Sequence, residues 1–129
     1  MLAVLDIDTS DQKKAAELVC AVLELAVDRA RQEIRTKSVP HLYNSGVKYA
    51  KQNPAACAFR TPTDVFARKQ GDCKQLVLWR IAELREAGED AKPRIMWIAD
   101  KKGLRAHAQV RRANGTIEDP SQLLGMVAP

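Results

Sequence analysis

Gln70-Gly71-Asp72-Cys73-Lys74-Gln75-Leu76-Val77 is the stretch on which the reading of this chain turns. Asp72 is a favoured N-cap residue and Gln75 follows three positions later, so each side chain can bond the other's backbone N–H in a capping box. A helix therefore begins at Cys73. The unpaired N–H groups and the positive end of the helix dipole favour an anion at that position, which lowers a thiol's pKa and makes Cys73 a candidate nucleophile. Against this stands the plainer use of a free cysteine as a small buried apolar residue. The helix is expected to run to about Ala87, with Gly88 as its C′ residue. Leu76, Val77, Leu78, Trp79, Ile81 and Leu84 make it apolar around most of its circumference. It should be the central buried helix, and a helix clamped on several faces holds its first residue still.

Downstream, the nearly continuous apolar run from Pro93 to Ala99 predicts a strand buried on both faces, and 100–103 turns the chain back. Leu104-Arg105-Ala106-His107-Ala108-Gln109-Val110 alternates small or apolar residues with polar ones and reads as a second strand carrying His107. After the Asn114-Gly115 turn signal, Ile117-Glu118-Asp119 gives a third, completing an antiparallel meander. Two hairpin registers are open. A two-residue Asn114-Gly115 loop sets Ala113 opposite Thr116, puts Ile117 on the apolar face and points His107 and Asp119 apart. A three-residue loop, 113–115 with a left-handed Gly115, sets Arg112 opposite Thr116 and makes His107 and Asp119 diagonal neighbours on one face. Cysteine, histidine and carboxylate in that order supply a nucleophile, a base and an orienter for the base, and this use requires the three-residue loop.

Upstream, Asp11 to about Arg35, capped by Ser10, reads as one long amphipathic helix with Ala15, Leu18, Val19, Val22, Leu25, Ala26 and Arg29 at helical spacing. Residues 1–9 alternate weakly, as an arm or edge strand. Pro40 breaks the long helix, and Leu42 to Gln52 is a shorter helical or irregular segment closed by Asn53-Pro54. His41 reads as an exposed loop histidine, while Tyr43 and Tyr49 either line a cleft or support the core. Thr61-Pro62-Thr63-Asp64 caps a short helix through Ala67, where Phe59 and Phe66 should pack.

The chain has 129 residues, enough for one domain with a core, 1–129, divided into an N-terminal arm and helix (1–39) and a core (40–129). The helix-rich front and sheet-rich back predict an α+β fold. No apolar run is long enough to span a membrane, and the first residues lack the basic and apolar regions of a signal peptide, so a cytoplasmic protein is expected. Cys20, Cys57 and Cys73 are an odd number without a Cys-x-x-Cys pair; no disulfide framework, zinc site or other cofactor is expected. Cys20 and Cys57 fit core or partly buried packing. The net charge of +5 is uneven, +1 over residues 1–64 and +4 over 65–129. Aromatics are few and no nucleic-acid motif accompanies that charge, so a solvated basic face is the better reading than nucleic-acid binding.

Leu42-Tyr43-Asn44-Ser45-Gly46-Val47-Lys48-Tyr49, Gly71-Asp72-Cys73 and Asp119-Pro120-Ser121-Gln122-Leu123-Leu124-Gly125-Met126, taken in order, resemble the small phage-encoded members of the transglutaminase-like branch of the papain-like cysteine hydrolases. The resemblance runs from Leu42 to Met126. It implies a papain-like core, a catalytic triad of Cys73, His107 and Asp119, and an acyl-enzyme formed on an amide or ester. Oxyanion donors would be the Cys73 N–H and, less firmly, the Gln70 side chain. Water as acceptor gives a peptidase or deamidase and an amine gives cross-linking; the partner is then a protein or peptide substrate. Lys74-Gln75 stand where acidic residues are expected. The alternative is a catalytically inert phage structural, assembly or host-interaction protein that keeps the fold, in the host cytoplasm or the virion.

Overall fold

The computed structural model describes residues 9–51, 59–101 and 103–127. The element order is α1 (Thr9–Thr36), a 3-10 turn (Leu42–Asn44), β1 (Lys48–Tyr49), α2 (Pro62–Arg68), β2 (Gln70–Gly71), α3 (Cys73–Glu86), β3 (Lys92–Asp100), β4 (Gly103–Arg111), β5 (Ile117–Glu118) and α4 (Pro120–Leu123). Helices and sheet are mixed, in keeping with α+β. The readings of Met1 to Asp8 as an arm, of Cys57, and of Asn53-Pro54 as a stop lie outside the described residues.

The organising helix forms as its sequence dictates. Asp72 accepts the Gln75 N–H (3.1 Å) and the Gln75 side chain accepts the Asp72 N–H (3.1 Å), which closes the capping box. Because α3 is apolar nearly all round, it feeds two cores at once. On one side Val77, Leu78 and Ile81 meet Leu23, Val27 and Ala30 of α1 and Ala108 and Val110 of β4. On the other, Leu76 and Trp79 meet Leu42, Val47, Val65 and Leu124. The first of these is the main layer, helix on helix and helix on sheet.

On α1 the buried stripe is Val19, Leu23, Val27 and Ala30. That corrects the expected face in part: Val19 is buried and Ala26 packs against the core, but Leu18 and Leu25 are 58% and 73% exposed. Apolar residues occupy more than one face of this helix, so periodicity alone could not choose between them. Packing on Val77, Leu78 and Ile81 of α3 decides, and ion pairs at the rim fasten the two helices. Arg85 holds Glu24 through Nη1 and Nη2 (2.7 and 2.8 Å), and Glu86 takes Arg31 (2.7 Å) and Arg35 (2.9 Å).

The main sheet has the order β3-β4-β5, all antiparallel, with Asp100 facing Gly103 across the first turn. Contrary to the expectation of a strand buried on both faces, Pro93 to Ile98 are only half-buried. β3 is the outer strand and α1 and α3 cover one face of it, so an apolar run here marks a single covered face. The second hairpin has the three-residue loop. Val110 pairs with Glu118 and Arg111 with Ile117, and Arg112 N–H bonds Thr116 O (2.8 Å). Gly115 closes the loop at φ +89°, a backbone that residues with a Cβ rarely adopt.

The segment after Pro40 holds an unanticipated element. Instead of a helix, Gly46 turns the chain into β1, which pairs in parallel with β2, Lys48 opposite Gln70 and Tyr49 opposite Gly71. Tyr49 N–H also bonds Leu124 O (2.9 Å) and Ala50 N–H bonds Gly71 O (2.8 Å). Three stretches far apart in sequence are thereby laced together around the start of α3.

Candidate active site

Cys73 is the first residue of α3 and is nearly buried, at 7% exposure. Its sulfur meets the edge of β4 at the Ala108 N–H. The reason lies in the β3–β4 ladder. Pro93 has no N–H and stands opposite Val110, which makes 93/110, 95/108, 97/106 and 99/104 the pairs whose N–H and C=O groups point away from the partner strand. β5 reaches only Val110 and Arg111, so the outward N–H of Ala108 is left for another acceptor. The backbone N–H groups of Ala108 and Lys74 both favour a thiolate at Cys73.

His107 precedes Ala108 and points to the opposite face of β4 from the one packed on α3. Its imidazole is 1% exposed, and Nε2 lies 2.8 Å from Asp119 Oδ2. A carboxylate oxygen accepts, so Nε2 carries the proton and Nδ1 is the basic nitrogen. The hairpin register makes this pair possible: it sets Asp119 opposite Gln109, one diagonal step from His107. Asp119 also caps α4, with Oδ1 accepting the Gln122 N–H (3.2 Å). The Asp-Pro-Ser sequence therefore sets the helix start and the carboxylate in one move, Pro120 occupying the N1 position it favours.

The structure thus joins His107 to Asp119 and sets Cys73 beside the backbone of the next residue along β4. No thiol–imidazole hydrogen bond is present among the described residues. The state of the thiol differs from the sequence expectation. Burial pushes the Cys73 thiol up from its ordinary value, and this outweighs the Ala108 N–H and the Lys74 charge that pull it down, while Asp72 adds to the rise. A helix N-terminus lowers a thiol's pKa when water also solvates the anion; here water is largely excluded.

Gln70 is exposed, its backbone engaged with Lys48 on β1 and its side chain without a hydrogen bond among the described residues. Three further residues take part to which the sequence reading gave no role in the triad. Lys74 is buried in an ion pair with Asp72 (Nζ–Oδ2 2.7 Å, side chains 5% and 8% exposed), so the basic residue after the cysteine serves the cap as well as the site. Tyr49 stands near enough to Cys73 and Asp72 that burial and then their negative charge raise its phenol. Gln109 donates from Nε2 to Asp119 Oδ2 (3.1 Å). For Gln109 a signal existed: it lies two residues after His107, on the same face of the same strand.

His41, read as a loop residue, has its side chain 78% exposed, 3.6 Å from Glu83. Tyr43 stacks on Arg80, its centroid 5.0 Å from the guanidinium, and bonds Glu118; it holds the loop to α3 and β5 and does not line the site. Among the described residues no cluster of His, Cys, Asp and Glu is built to hold a metal ion, and no helix is long and apolar enough to cross a membrane. Comparison with models of protein families, with curated proteins and with solved structures gave no match to this chain.

Proposed function

We propose that this protein is a transglutaminase-like cysteine hydrolase or acyltransferase with a papain-like core, phage-encoded, acting on a protein or peptide through an acyl-enzyme on Cys73. The observation that carries the reading is the His107–Asp119 pair at 2.8 Å, one residue along β4 from the backbone N–H that faces the Cys73 sulfur. In the resting site the sulfur is a thiol. On attack, His107 Nδ1 takes its proton as general base while Asp119 holds the ring through Nε2 and stabilises the imidazolium. The sulfur bonds the carbonyl carbon and the oxygen gains charge, facing the Cys73 N–H, which has no partner within its own helix. His107 returns the proton to the departing amine or alcohol. Water or an amine then attacks the thioester, with His107 acting as base again.

The test is direct capture of the acyl-enzyme. With p-nitrophenyl acetate, a burst of nitrophenol followed by slower turnover is expected, with the acetyl group on the Cys73 peptide by mass spectrometry. Cys73→Ala should abolish the burst and His107→Ala should slow it by about 10²-fold or more. Acetylation spread over lysines, with no burst, would defeat the proposal. A second reading, an inert phage structural, assembly or host-interaction protein, is favoured by one observation: the nucleophile and the base are both buried, and the thiol is held protonated. That reading predicts no burst in a folded protein.

A further inference from the structure

We propose that Gln109, oriented by Arg94, is a positioning residue that fixes the Asp119 carboxylate in the orientation from which it grips His107. The inference rests on the triad reading for its catalytic consequence, though not for its geometry. Arg94 stands directly opposite Gln109 in the β3–β4 register, and Asp119, the residue after β5, bonds the Gln109 side chain from the other side. Two strands and the residue that follows β5 therefore bring Arg94, Gln109 and Asp119 into a row, on the face that carries His107.

A glutamine amide can present either end to a neighbour, so its direction must be set by something else. Arg94 sets it. A guanidinium has donors and no acceptor, and its Nη1 donates to Gln109 Oε1. The NH2 group is then turned to Asp119, where Nε2 donates to Oδ2 at 3.1 Å. The same Oδ2 accepts from His107 Nε2 at 2.8 Å, and Oδ1 accepts the Gln122 N–H at 3.2 Å. Three donors from two elements thus hold one carboxylate. Without Gln109, the carboxylate keeps its cap but gains freedom to rotate about its last bond, and Oδ2 has only His107 to hold. Gln109 is nearly buried, at 8% exposure, so water replaces its N–H poorly.

The chain has two histidines, His41 and His107, so the nitrogen resonances of an 15N-histidine-labelled protein are assigned with a single His41→Gln control. At alkaline pH, where imidazole is neutral, long-range 1H–15N spectra report the tautomer. Wild type should show His107 with its proton on Nε2. Gln109→Met should mix the tautomers and lower the His107-dependent alkylation rate of Cys73 by about tenfold, the worth of one hydrogen bond to a carboxylate. Arg94→Met, at a side chain that bonds Gln109 and makes no hydrogen bond to Asp119 or His107 among the described residues, should act in the same direction and more weakly. Gln109→Glu, which turns a carboxylate on Asp119, should act more strongly than Gln109→Met. Thermal melts establish that each variant is folded. Folded Gln109→Met and Arg94→Met proteins with wild-type tautomer and wild-type alkylation would overturn the proposal. If Cys73 proves inert even in wild type while the tautomer still answers to Gln109 and Arg94, the positioning role stands and the enzymatic reading falls. If alkylation depends on His107 but neither readout answers to Gln109 or Arg94, the positioning role alone falls.

Discussion

Two residues beside Cys73 show what its placement costs. Gly71 lies so close to α3 that a Cβ would meet Leu76 Cδ2 and Val65 Cγ1 at 3.2 Å and Gln75 Oε1 at 3.3 Å. Gly71→Ala should destabilise by about 1–3 kcal/mol through overpacking and disturb the capping box, measured by urea unfolding and by loss of Cys73 reactivity together. Asp72 answers for more. It caps α3 and neutralises buried Lys74. Removing a cap costs about 1 kcal/mol, and removing one partner of a buried ion pair costs more. Asp72→Ala should therefore lose on the order of 3 kcal/mol, whereas Asp72→Asn, which keeps the cap and loses the charge, isolates the share due to Lys74. A negligible loss in Asp72→Asn would show that Lys74 does not depend on the Asp72 charge, and equal losses in the two variants would show that the cap contributes nothing.

At the scale of elements, α1 offers the sharpest test, because two leucines two positions apart differ only in the face they occupy. Leu23 is fully buried and Leu25 is 73% exposed. Leu23→Ala should cost about 2–5 kcal/mol and Leu25→Ala less than about 0.5, read from denaturant midpoints at constant slope. Comparable losses would place a partner on the outer face. The contrast also marks where the sequence could be read and where it could not. α3 was legible to within a residue at both ends, because capping residues and an apolar circumference are local signals. The face of α1 was not, since the choice between two apolar stripes is made by packing on Val77, Leu78 and Ile81 of α3, far along the chain. β1 was invisible for a related reason: two residues become a strand only when Gln70 and Gly71 lie alongside. His107 and Asp119 could be named from residue type and order, but their meeting depended on one residue of loop length, which Asn114-Gly115 alone left open.

Across the whole molecule, ion pairs tie the meander to the helices. Arg112 holds Glu89 through Nε and Nη2 (2.5 and 2.7 Å) and Glu118 through Nη1 (2.8 Å), while Arg80 joins Glu118 (2.7 Å) to Glu83 (3.3 Å). Glu89 is pulled down to about 2, chiefly by its hydrogen bonds from Arg112. A depressed carboxylate contributes stability that is present above its unfolded value of about 4.3 and lost as pH falls through the folded one. Acid should therefore weaken the fold between about pH 4.3 and pH 2, and Arg112→Met should flatten that slope. Cys73 acts at the other end with the opposite sign. Its pKa is raised in the folded state, so its contribution is complete below the unfolded thiol value of about 8.5 and declines as pH rises above it. Cys73→Ala should remove that alkaline decline; an unchanged decline would assign it to other groups.

The same burial that shapes the alkaline limb defines the most direct test of the central claim, that Cys73 and His107 act as nucleophile and base. The rate of iodoacetamide alkylation at Cys73, followed by peptide mass spectrometry against pH, should be compared in wild type, His107→Ala and Asp119→Asn. Alkylation should be faster in the wild type than in His107→Ala at every pH below the ordinary thiol value of about 8.5, with Asp119→Asn in between. Three superimposed profiles, each rising only at or above that value, would contradict it.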